Sequence, residues 1–137
     1  MKKITAIIAL YLLLSCNQNH YKDIEFGNTL IENQTLSENR KLYEAVKKTV
    51  KLDSNGLAEL INLNCGGAAG CYDLGAVITQ IISKIGERDF LKMTKKLDSK
   101  QKLHLKSLIE VGLEYGPINT EMNFEKVWPK LYKELNK

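Results

Sequence analysis

The sequence predicts an all-α domain, an irregular bundle or short stack of about five to six antiparallel helices behind a flexible N-terminal tether. Three observations predict it. After residue 35, apolar residues recur at helical spacing, and strand-type alternation is absent. Capping residues and glycines stand where such helices would begin and end. Aromatic content is 7% and prolines number two, which favours helices over a β-sandwich.

The elements follow in order. Thr35-Leu36-Ser37-Glu38 has the form of a capping box, with Thr at N-cap and Glu at N3. Leu42, Val46 and Val50 follow at spacing four beside Tyr43, giving a helix over 36–51. Asp53 or Ser54 caps a second, short helix carrying Leu57, Leu60 and Ile61, which stops at Gly66 and Gly67. In the third helix Leu74, Val77, Ile78, Ile81, Ile82 and Ile85 form one wide apolar stripe, ended by Gly86. That stripe is expected at the centre of the core. A fourth, shorter helix holds Phe90, Leu91, Met93 and Leu97.

The fifth helix starts at Asp98, with Gln101 as its N3 partner. It carries Leu105, Leu108, Ile109, Val111 and Leu113 and stops at Gly116-Pro117. The last helix lies within about 121–135, with Phe124, Val127, Trp128, Leu131, Tyr132 and Leu135. Pro129 requires either a start near Phe124 to Val127 or a local kink. Connections are short, as between antiparallel neighbours. No repeat of fixed period is present, so a solenoid is not expected.

The N-terminus is organised differently. Lys2 and Lys3 precede an apolar run from Ile4 to Leu14, the plan of a secretory signal. About 20 helical residues are needed to span a bilayer core, and this run is too short. It ends Leu13-Leu14-Ser15-Cys16, which resembles the lipobox of bacterial lipoproteins: an aliphatic residue at −3, a small residue at −1, then cysteine. The resemblance implies a signal peptide over 1–15, attachment of a diacylglycerol to the Cys16 thiol, cleavage before that cysteine, and often acylation of its new amino group by a chain such as palmitate. It also implies a protein held in the cell envelope, by default on the periplasmic leaflet, since no acidic cluster follows Cys16. Two or three acyl chains give stable anchoring where one does not. The segment 16–35 opens with the polar run Asn17 to Asp23 and reads as a lipidated tether, with a short extended piece at Ile24-Glu25-Phe26. The domain proper is expected over 36–137.

Removal of the first 15 of 137 residues leaves 122, enough for one domain with one core. Lys2 and Lys3 go with it, so 18 basic residues face 16 acidic ones, a net charge near +2. That balance gives no reason to expect nucleic acid as a partner.

The most distinctive internal segment is Cys65-Gly66-Gly67-Ala68-Ala69-Gly70-Cys71. With Cys16 acylated, two cysteines remain in an oxidising compartment, and a Cys65–Cys71 disulfide is the natural reading. Other readings compete for this segment. Phosphate binding would ordinarily bring the Lys-Ser/Thr of a P-loop, which is missing. A metal centre needs more ligands, and His20 and His104 are remote in sequence. A redox pair usually has the tighter Cys-x-x-Cys spacing. A rigid, exposed loop Gly66-Gly67-Ala68-Ala69-Gly70 that inserts into a partner is compatible with the disulfide.

No catalytic or metal motif is found. His104 reads as a surface or boundary histidine, and Glu110 with Glu114 as a solvated helix face near Lys106, while Glu114-Tyr115-Gly116 at the helix end is a candidate polar spot near Asp73. Trp128 reads as core. These features suggest a non-enzymatic, protein-binding lipoprotein without cofactor or metal. In outline, as a small helical disulfide-bearing periplasmic domain, it is similar to immunity proteins that neutralise interbacterial toxins. The other expectations are an accessory or scaffold lipoprotein of an envelope complex and, behind it, a carboxylate-based enzyme.

Overall fold

A computed structural model describes residues 19–118 and 123–137. The expected signal peptide, Cys16 and the first residues of the last predicted helix lie outside these ranges. Eight helices and one two-stranded hairpin are present among the described residues. The hairpin pairs β1 (His20–Tyr21) with β2 (Ile24–Glu25), antiparallel, with His20 opposite Glu25. The helices are α1 (Asn28–Glu32), α2 (Leu36–Val50), α3 (Ser54–Ile61), α4 (Ala68–Ile85), α5 (Glu87–Thr94), α6 (Ser99–Tyr115), α7 (Phe124–Val127) and α8 (Pro129–Leu135). The fold is all-α, as expected.

Helices α2, α3 and α6 carry their own start signals. Thr35 and Glu38 close a reciprocal capping box on α2, and Asp98 and Gln101 close one on α6. Asp53 accepts from the Asn55 N–H and caps α3. Helix α4 is central: Leu74, Val77, Ile78, Ile81 and Ile82 are fully buried. It packs on α1, α2, α5, α6 and β2. Its crossing with α6 is close because Gly75 and Gly112 face each other. A Cβ on Gly112 would run into the Gly75 carbonyl, and one on Gly75 would meet backbone of α6. Leu42 and Val46 of α2, Leu57 and Leu60 of α3, Phe90 of α5 and Leu105 and Ile109 of α6 complete the middle of a single core.

The last predicted helix is split. Asn123 caps α7, Trp128 leaves helical geometry at φ −135°, and Pro129 opens α8 at N1, where its missing N–H is harmless. Trp128 is buried beside Phe124, as expected.

The main correction concerns the tether. Residues 19–35 do not form a stalk. Tyr21, Ile24, Phe26 and Leu30 are buried members of the core. The polar residues between them face outward, and polar composition hid an inward apolar side. The segment is too short to fold alone, but α2 and α4 supply the surface it covers.

Three side chains of α4 hold it there. The Gln80 amide pairs with the Glu25 backbone as a neighbouring strand would, accepting from its N–H at 2.9 Å and donating to its carbonyl at 3.1 Å. Lys84 is paired with Asp23, whose carboxyl is held below its usual range by that hydrogen bond. Asp73 accepts from the Leu30 N–H at 3.0 Å and so caps α1, whose own N-cap, Gly27, has no side chain to offer. Glu87 acts likewise on α8, accepting from Lys130 N–H at 2.7 Å and Leu131 N–H at 2.9 Å.

Candidate docking face at the disulfide loop

Helix α3 ends at Ile61, five residues short of the expected glycine stop, with Asn62 as its C-cap. Helix α4 begins at Ala68, so Ala68, Ala69 and Gly70 belong to its first turn rather than to a loop. Glycine ahead and alanine within suit this start, since Ala has the best helix propensity. The non-helical part of the expected loop is Gly66-Gly67. Both occupy the left-handed region, at φ 71° and 123°, where L side chains are strained.

A disulfide joins Cys65 to Cys71 with Cα atoms 4.9 Å apart. The Cys71 N–H also donates to the Gly67 carbonyl at 2.9 Å. The Asn64 side chain accepts from the Gly66 N–H at 3.1 Å, and Gln34 donates to the Asn64 carbonyl at 2.7 Å. A Cβ on Gly70 would strike the Cys65 carbonyl, and one on Gly66 would strike Asn33. The turn is therefore seated on the end of α1 and locked covalently to α4. Among the described residues, nothing stands within 4 Å of a Cβ placed on Gly67, and Gly67, Ala68 and Ala69 are exposed.

The exposed surface continues onto an aromatic pair. Tyr72, one residue past the disulfide and one turn from Ala68, stacks on Tyr115 at the end of α6, with centroids 4.6 Å apart and planes 13° apart. They are 38% and 59% exposed. A hydrogen bond to Glu114 raises the Tyr115 phenol above its ordinary pKa, with smaller contributions from the Glu114 charge, desolvation and Tyr72. Leu36, two residues past the Gln34 that ties to Asn64, is 88% exposed at the start of α2. Tyr72 is not singled out from the sequence, and Tyr115 only within Glu114-Tyr115-Gly116, the polar spot expected near Asp73. Their partnership depends on the α4–α6 crossing, and only Ala68 and Tyr72 at i, i+4 hinted at a shared surface.

The remaining residues of interest are scattered. His104 is exposed on α6, as are Glu110 and Glu114. Asp73 does not join Glu114; it is turned to the N-terminus of α1, and its neighbour Tyr72 makes the contact with this end of α6. Among the described residues, no three His, Cys, Asp or Glu side chains gather as a metal would require. No described helix is long and apolar enough to cross a membrane. An open groove of about 580 Å³ between α2 and α3 is lined by Arg40, Lys41, Glu44, Lys48 and Glu59, with Lys48 and Glu59 paired at 2.8 Å. No protein family, curated protein or solved structure matches the chain.

Proposed function

We propose that this chain is an envelope lipoprotein anchored through acylated Cys16, and that its domain binds a protein partner without catalysis or cofactor. The partner we assign is an interbacterial toxin delivered to the periplasm, which makes the chain an immunity protein. The observation that carries this reading is the exposed face formed by Gly66-Gly67, Ala68, Ala69 and the Tyr72–Tyr115 stack. Such a face suits protein recognition. Tyrosine supplies large contact area at low entropic cost and is enriched among the residues that dominate binding energy. The disulfide-locked turn loses little freedom on docking, so less binding energy is spent on ordering it.

The test pairs function with binding. The chain and the product of its neighbouring gene are co-expressed, both directed to the periplasm, and survival and co-purification are scored. Protection is expected with the natural chain, and a loss of at least tenfold in affinity with Tyr72→Ala/Tyr115→Ala. Absence of both complex and protection overturns the immunity role. Recovery of a multi-component envelope assembly instead, with an envelope defect on deletion, would establish the scaffold role.

A further inference from the structure

Asn17 and Gln18 alone separate Cys16 from Asn19. Asn19 already belongs to the fold: its carbonyl accepts from the Phe26 N–H at 2.8 Å, and β1 begins at the next residue. The hairpin it leads into is fastened to α4 by Gln80 and Lys84. A chain covers at most about 3.6 Å per residue, so the Cα of Asn19 lies within about 11 Å of the Cα of Cys16. The polar layer on each side of a bilayer core is itself roughly 5–8 Å thick.

We infer that the outward face of the hairpin and the start of α1 rest on the phospholipid headgroups of the bilayer that holds the anchor; this rests on the lipidation of Cys16 proposed above. The chemistry of the face fits that position. Asn19, His20, Lys22, Asp23, Glu25 and Asn28 surround a shallow depression of about 420 Å³. They offer amide, imidazole, ammonium and carboxylate groups to headgroups that carry both phosphate and amine. The apolar residues of the same segment, Tyr21, Ile24, Phe26 and Leu30, are consumed in the core. None of the exposed large apolar side chains among the described residues belongs to the hairpin or α1. The face therefore lies on the headgroups and does not enter hydrocarbon. The Tyr72–Tyr115 face is then held within about 30 Å of the bilayer, the diameter of a small domain. A partner is met at the membrane surface, not across the periplasm.

The experiment uses the full mature lipidated chain in phosphatidylethanolamine/phosphatidylglycerol vesicles doped with a nickel-chelating lipid. With Cys65 and Cys71 joined and Cys16 acylated, a single added cysteine takes a nitroxide label. One variant is His20→Cys; the other is Lys133→Cys on α8, whose packing partners are α5, α6 and α7. Relaxation enhancement by nickel is expected to be at least threefold greater at position 20 than at 133. Inserting twenty Gly/Ser residues between Gln18 and Asn19 is expected to remove that difference. Equal enhancement at both positions in a chain shown by mass to carry lipid overturns the apposition and leaves the anchor standing. Absence of lipid on Cys16 overturns the anchor and the apposition together.

Discussion

The segment Asn19–Glu32 and the turn Asn64–Gly67 are both fastened to α4, and they are held in opposite ways. The disulfide turn is fixed mainly by covalent and local means: a Cys65–Cys71 bond, two left-handed glycines and an Asn64 side chain reaching two residues along. The hairpin and α1 are fixed by distant side chains, with Asp73, Gln80 and Lys84 reaching back 43 to 61 residues. The difference separates two routes to order. A local staple limits the unfolded chain as well as the folded one, whereas a distant latch acts only once α4 has formed. The disulfide turn is therefore expected to keep its form in partly unfolded states that have lost the hairpin and α1.

The largest expected effect comes from attacking the latch where it is tightest. A Cβ on Gly27 would overlap the Asp73 carboxyl, although the Gly27 backbone, at φ −63° and ψ 146°, accepts any residue. Gly27→Ala should destabilise by about 3 kcal/mol through overpacking and loss of the α1 cap. Asp73→Ala alone should cost about 2 kcal/mol. In the double variant the clash is gone, so the total should fall well short of the sum, read by denaturant unfolding in a double-mutant cycle. Additive losses would mean that Gly27 and Asp73 do not act on each other.

Removal of the staple comes next. Cys65→Ser/Cys71→Ser should lower stability by about 2 kcal/mol on the chain-entropy model. Hydrogen exchange should rise around Gly66–Tyr72 before it rises at Glu25 and Leu30. Equal acceleration in both segments would remove the contrast between local and distant fixation. A smaller effect is expected from Gln80→Ala, about 1 kcal/mol, since both of its bonds to Glu25 are near the surface. Its signature should be faster exchange of the Glu25 amide with the disulfide turn unchanged.

The smallest effect lies outside both segments and serves as their control. Hydrogen bonds from Lys137 and then Lys102 hold the Glu134 carboxyl down at about 2. A depressed carboxylate stabilises fully above its ordinary value of 4.5 and loses that contribution as pH falls through 4.5 toward 2. Wild type should exceed Glu134→Gln in thermal stability at pH 7 by no more than about 1 kcal/mol, and the two should converge near pH 2. A gap that persists there would assign the effect to packing.

Much of the fold was legible because its signals are short in range. The capping boxes at Thr35/Glu38 and Asp98/Gln101 act over three residues, and the stripe from Leu74 to Ile82 repeats within one helix. The disulfide was legible because two cysteines stand six apart. Of the candidate docking face, Gly66 and Gly67 could be read, and the stacking of Tyr72 on Tyr115 could not. The expected approach of Glu114-Tyr115-Gly116 to Asp73 reached the right end of α6, but nothing near either tyrosine announces a stack with a residue 43 positions away.

The sequence by itself determined which stretches become the longer helices, where three of them start, and which cysteines join. Those outcomes depend on propensity, capping and periodicity, all satisfied within a few residues. Only the tertiary structure decided the fate of the short elements. A five-residue α1 and a seven-residue α8 are too short to be stable alone, and each takes its N-terminal cap from another helix, from Asp73 and from Glu87. The hairpin depends in the same way on Gln80 and Lys84, and the aromatic stack on the close passage of Gly75 and Gly112. A short segment buries too little surface to choose its own conformation, so the choice passes to the helices that receive it.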